Sequence, residues 1–286
     1  MTTENRPLML IRPIIWQRLA RLFLALMTLA TVAILVFIIS YILSKGLHVI
    51  TPEFLFAAPE RMGKEGGVFP MIVATVLLTL LAIAIATPIG VGSAIYLTEY
   101  TRETMLTRLI RFGADALAGV PSIIFGLFGF ILFVIRLRMG WSLLAGGLTL
   151  ALMILPTIIR TSEEAIRTVP QALREVSLSL GATKWQTVTR VVVPNALPGV
   201  LTGILLSVGR SIAETACVIF TAGSTLMMPK SLLAPGRTLA VHFYILAREG
   251  ISMERAYGTA VILILSILAV NIVAYVLMYR VMRKMR

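Results

Sequence analysis

The 286-residue chain is 58% hydrophobic and 14% charged, with a net charge of +13. A soluble globular domain carries roughly a quarter charged residues, so this composition, with a mean hydropathy of +0.94, excludes one. A nucleic-acid footprint needs a basic face on a folded soluble module, and the basic residues here are instead dispersed between long apolar runs.

A bilayer core about 30 Å thick is crossed by about 20 apolar residues in a helix. Six runs meet that requirement, at residues 22–43, 71–97, 112–135, 142–159, 196–222 and 257–279. The predicted fold is all-α, a polytopic membrane protein of six helices with no room for a separate soluble domain. Residues 1–21 form an N-terminal segment, 22–69 the first span and its outer loop, 70–279 a core of five spans, and 280–286 a tail. The first run is longer than a secretory h-region and reads as a retained span.

The charges between the runs give the orientation. The ends and the alternate loops on their side hold 16 Lys and Arg, the opposite loops hold 9, and Arg210 alone lies inside a span. The positive-inside rule then places both termini in the cytoplasm and the membrane lipid around the chain. Arg136 and Arg138 stand together on the outer side against that rule.

Residues 45–70 form an outer loop broken by Pro52, Pro59 and Gly66-Gly67, a plausible docking surface. In the inner loop 98–111, Met105, Leu106, Leu109 and Ile110 share a helical stripe and predict a short interfacial helix. Asp115 falls near the start of the third run, where a helix dipole would favour a carboxylate. Pro88, Gly90, Gly92, Pro121, Gly126 and Gly129 read as bending or packing elements. Arg160, beside Thr161 and Ser162, sits where the fourth span leaves on the inner side; it suits either an anion path or simple anchoring.

The loop 160–195 is too polar to span and too patterned for a linker. Val169, Ala172, Leu173, Val176 and Leu180 recur at three- and four-residue steps, predicting an amphipathic helix that stops at Gly181. Thr183 is placed to cap a second helix from Lys184. Periodicity alone also fits a helix lying on the membrane. In the fifth run, Arg210 and Glu214 stand four residues apart, which a helix would bring to one face. A charge there marks a functional site or a packing salt bridge.

Cys217 is the only cysteine, so no intrachain disulfide forms. His48 and His242 have no ligand spacing around them. No GxxxxGK[ST] phosphate loop occurs, and nothing resembles paired catalytic carboxylates or a Ser-His arrangement. The chain is not read as an enzyme. A proton-coupled carrier would call for two matching halves with broken helices, which the sequence does not display.

The run Glu175-Val176-Ser177, three residues, Gly181, nine residues, then Val191-Val192-Val193-Pro194 resembles the EAA loop of ABC-importer permeases, with Val-Ser in place of Ala-Ala. The stretches TPIGVGSAIYLTEY, VPSIIFGLFGF, LPTIIRTSEEAIRTVP and LTGILLSVGRSIAETACVIFTA are similar to the PstA branch, the phosphate-importer permeases; Ala213 replaces a glycine of that pattern. The resemblance implies a MetI-like permease fold in a bacterial cytoplasmic (inner) membrane. It implies that Glu175, Val176, Ser177, Gly181 and Pro194 belong to a coupling loop, and that Arg210, Glu214 and Arg160 line a phosphate path. It also implies partners: a second, PstC-like permease chain, a PstB-like ATPase dimer that uses ATP and Mg, and a PstS-like extracytoplasmic phosphate-binding protein. The chain itself would bind no cofactor. Spacing alone does not separate phosphate from sulfate or molybdate.

Overall fold

The computed structural model describes residues 8–285; residues 1–7 of the expected N-terminal segment, including Arg6, and Arg286 of the tail lie outside them. Helix α1 (Leu8–Gly46) leads through a 3-10 turn (Leu47–Val49) to a short α2 (Pro52–Phe56). A two-stranded hairpin follows, β1 (Pro59–Glu60) antiparallel to β2 (Glu65–Gly66). Then come α3 (Phe69–Ile95) with a π-helical turn (Tyr96–Tyr100), α4 (Met105–Ala118), α5 (Ser122–Gly129) continued by a π-helical stretch to Arg136, and α6 (Leu143–Arg167). Two short helices, α7 (Gln171–Ser179) and α8 (Lys184–Thr187), precede a π-helical turn (Val188–Val192) and α9 (Val193–Ala213). The chain ends with α10 (Ala216–Thr221), α11 (Leu239–Arg248) and α12 (Met253–Met285).

Among the described residues, five helices are long and apolar enough to cross a membrane, and a sixth crossing is available if α4 and the helix after it count together. Those two meet at 102°. The third run therefore does not form the straight span 112–135 that its hydropathy predicts. Pro121 offers no N–H and pushes the residue before it out of the α region, and Pro121 itself is extended at ψ 140°. Residues 112–118 join the amphipathic helix instead, which is longer than expected and starts at a reciprocal Thr104–Thr107 cap. Asp115 thus falls in the last turn of α4, the end where the dipole disfavours a carboxylate.

The core lies in three tiers. The outer tier joins Val49, Phe54, Val68, Met71, Leu239 and Ile262. The middle tier packs α3, α6, α10 and α11 through Leu78, Leu150, Ile154, Val218 and Val241. The inner tier packs Ala94, Ile166, Val169, Val192 and Ala196 beneath the elbow of α7 and α8. By contrast, α1 stands apart: its side chains from Ile15 to Ile34 are exposed, and only its outer end meets α12, with the Tyr41 and Tyr257 rings edge to face at 6.0 Å.

Helices α6 and α9 pack closely where Gly203 faces the Thr161 side chain; a Cβ on Gly203 would overlap that hydroxyl. Small residues permit such crossings, which in lipid rest on van der Waals packing. Gly203→Val is expected to destabilise the chain by about 1–3 kcal/mol, read as lower abundance and a lower melting midpoint in detergent, whereas Gly92→Ala, with nothing within 4 Å of the added carbon, should be silent.

Candidate functional site: an intramembrane cation and a helical elbow

Helix α9 ends at Ala213, and Glu214 is extended at φ −73° and ψ 131°. The fifth run is a broken helix, not the single span 196–222 of the hydropathy reading, and Arg210 and Glu214 do not share a helical face. No ion pair joins them among the described residues. The break is held by the carboxylate itself: the Cys217 backbone N–H donates to Glu214 Oε1 at 3.2 Å, satisfying a free amide at the start of α10. Sequence pattern gave little warning of this, because Ala213-Glu214-Thr215 holds neither Gly nor Pro. The signal that was present is the acid two residues ahead of the apolar run that begins at Ala216.

Arg210 is exposed and points away from the chain's own core, in a stripe with the exposed Thr202, Leu206 and Ala213. Ser207 and Ser211, on the opposite side of α9, are buried. A guanidinium facing hydrocarbon is costly, so a stripe that carries one belongs against protein or water.

Arg160 is placed differently. Its guanidinium pairs with Asp115 across α6 and α4, both side chains being nearly half exposed. That partner relieves the unfavourable helix-end position of Asp115. Next to it, Glu163 is buried and receives Arg167 at 2.8 Å and Arg111 at 2.7 Å. These pairs fasten the amphipathic α4 to the inner end of α6. Arg160, paired with Asp115 on α4, and Arg210, on the exposed stripe of α9, share no partner among the described residues.

The elbow forms from its sequence signals. Gly181 has φ +83°; its N–H donates to Leu178 O, and the Ala182 N–H donates to Ser177 O, the double closure that needs a residue tolerant of the left-handed region. Thr183 accepts from Gln186 N while Gln186 Oε1 accepts from Thr183 N, a full capping box. Ser177 and Thr187 hydroxyls bridge the two helices at 3.0 Å. From Lys184 the helix runs on to Ala213 as one span. The π-helical turn at Val188–Val192 lies just ahead of Pro194, whose ring and missing N–H a normal α turn would not accommodate.

The apolar stripe of α7 is not folded onto the chain. Val169 packs in the inner tier, but Leu173, Val176 and Leu180 are exposed, Leu180 at 83%, beside an exposed Trp185. Glu175 is exposed too, with no ion-pair partner among the described residues.

Of the two histidines, His242 is a core residue and His48 a surface one. Arg237 Nη1 donates to His242 Nδ1 at 3.3 Å, and Arg237 Nε donates to Ser224 O at 2.7 Å. Burial first, and the adjacent guanidinium second, push the His242 pKa down to about 3. No cluster of three or more metal-ligating residues occurs among the described residues.

The family model for binding-protein-dependent transport system inner membrane components matches residues 86–286. The chain belongs to this family. The permease is 32% identical to the probable ABC transporter permease protein YqgI of Bacillus subtilis over 258 residues, covering 85% of this chain and 88% of the relative. It is 33% identical to the phosphate transport system permease protein PstA of Pasteurella multocida, over 84% of this chain and 86% of that one. With PstA of Mycobacterium leprae it shares 32% over 94% and 93% of the two chains. In fold, the permease resembles a chain of the MetNI methionine ABC transporter, with a TM-score of 0.61 at 20% identity, covering 73% of this chain and 93% of that one. It also resembles a chain of a bacterial ABC transporter for the acidic polysaccharide alginate, with a TM-score of 0.66 at 16% identity, covering 93% and 98%.

Proposed function

We propose that this permease carries inorganic phosphate across the cytoplasmic membrane as one of two permease chains in an ATP-driven importer. The single observation that carries the path assignment is Arg210, an intramembrane guanidinium on the outward stripe of α9, one turn before the broken end of the helix. Its planar fork matches two oxygens of a tetrahedral oxyanion, and a second permease covering that stripe would enclose it. Glu214, on the extended link beyond the helix, contributes a negative charge near the path and aids release. Arg160 serves at the inner exit, where Asp115 holds it until an anion competes for the guanidinium.

The elbow receives the ATPase. What supports this is the exposed stripe of Leu173, Val176 and Leu180 with Trp185, which needs a covering surface, and the EAA-type spacing of Glu175, Val176, Ser177, Gly181 and Pro194. ATP and Mg are used by that partner, and this chain supplies no group to the hydrolysis. Both termini face the cytoplasm, supported by 16 inner against 9 outer cations, and the outer loop 45–70 then faces a phosphate-loaded binding protein. The PstA relatives support phosphate over other oxyanions. In cells lacking this chain, high-affinity uptake of radiolabelled phosphate should be lost and restored by its expression, with excess sulfate and molybdate failing to compete. Restored uptake of either competitor in place of phosphate would reassign the cargo.

A further inference from the structure

An acidic residue from a different part of the chain is tied into the elbow. Glu99, in the π-helical turn that extends α3, has a side chain only 4% exposed. Its Oε1 accepts from Arg174 Nε at 3.0 Å and from Nη2 at 2.7 Å. Its Oε2 lies 3.4 Å from Lys184 Nζ. Arg174 belongs to α7 and Lys184 opens α8, so one carboxylate holds the helices on both sides of Gly181.

Arg174 reaches further. Its Nη1 donates to Val169 O at 2.6 Å and its Nη2 to Ile166 O at 3.0 Å, closing carbonyls at the inner end of α6. One guanidinium therefore joins the ends of α3 and α6 to the elbow, a task for a planar fork with five donors that an ammonium cannot perform. The exposed face of α7 carries Val176 and Leu180 and is left free for a partner; the face carrying Arg174 turns inward, where the guanidinium is 11% exposed. The chain runs from the elbow directly into α6, through residues 168–170, and into α9, but α3 is joined to it by no nearby stretch of backbone. Without the clamp, a displacement of α7 would pass to α3 through apolar packing around Ala94, which slides more readily than a desolvated charge pair.

We propose that Glu99 is a positioning residue for energy coupling: with Arg174 and Lys184 it makes the elbow, α3 and α6 move as one body when the ATPase moves the elbow. This rests on the reading that the elbow docks the ATPase. The test uses the complete transporter purified from membranes, with wild type, Glu99→Gln and Arg174→Lys compared. Three quantities are read: ATPase retained per permease, basal ATP hydrolysis, and phosphate moved per ATP with its stimulation by phosphate-loaded binding protein. Both variants should retain the ATPase and keep basal hydrolysis within about twofold, while stimulation and phosphate moved per ATP fall about tenfold. A purely structural brace would lower all three together. Unchanged phosphate per ATP in both variants overturns the proposal, and so does loss of the bound ATPase from both, which would make the clamp a docking brace only. Wild type without bound ATPase would overturn the docking reading itself, and that outcome is recognised before any variant is compared.

Discussion

Arg210→Gln is expected to abolish phosphate uptake, and Arg210→Lys to impair it by about 10- to 100-fold at matched membrane abundance, since a hydrogen bond to a charged group contributes about 1.5–3 kcal/mol. Lysine keeps the charge but loses the two-pronged geometry. Because Arg210 lies on an exposed stripe without an ion-pair partner among the described residues, neither change should disturb the chain's own packing. Exchanging the charges of positions 210 and 214 would be uninformative: an arginine at 214 cannot accept the Cys217 N–H, so the swap breaks the start of α10 whatever Arg210 does. Glu214→Gln is the informative companion. Its amide oxygen still accepts that N–H, so the broken helix survives while the charge is gone. A fall in uptake by Glu214→Gln, smaller than that of Arg210→Lys, then reports the carboxylate's charge in the path. Near-normal uptake by Arg210→Lys would remove Arg210 from the path.

The second large effect falls on the elbow. Gly181 sits at φ +83°, and nothing lies within 4 Å of where its Cβ would be, so only the backbone resists a side chain there. Asparagine enters the left-handed region at modest cost, whereas a β-branched residue pays about 1–3 kcal/mol. Gly181→Val is expected to insert in the membrane normally, to lose the closure between Ser177 and Ala182, and to lose most ATP-driven uptake. Gly181→Asn should keep most of it. Uptake measured against surface abundance separates the two, and a fully active Gly181→Val would mean that the elbow does not carry the coupling.

Much of this was legible in the chain because membrane spans and capped elbows are local signals. Gly181, Thr183 and Lys184 announced the turn and the second helix, and both formed as read. Five crossings followed from run length, and a sixth if α4 and the helix after it count together. What escaped were the breaks within apolar runs, where hydropathy is indifferent to backbone direction: Pro121 turns the third run through a right angle, and Glu214 breaks the fifth by capping the next helix. The Arg210–Glu214 pairing failed for the same reason, since four-residue spacing implies one face only while the helix continues. The Glu99 clamp lay beyond sequence reach, because its partners stand 75 residues away from it or more. Asp115 found its partner in Arg160 in the same way, across two helices.

The measurement that tests the account most directly is phosphate accumulation by proteoliposomes holding this chain with its partner permease and ATPase. Phosphate-loaded binding protein is supplied on one face and ATP with Mg on the other. The account predicts accumulation that requires both and is lost with Arg210→Gln. Accumulation driven by a proton gradient without ATP, or undiminished by Arg210→Gln, would contradict it.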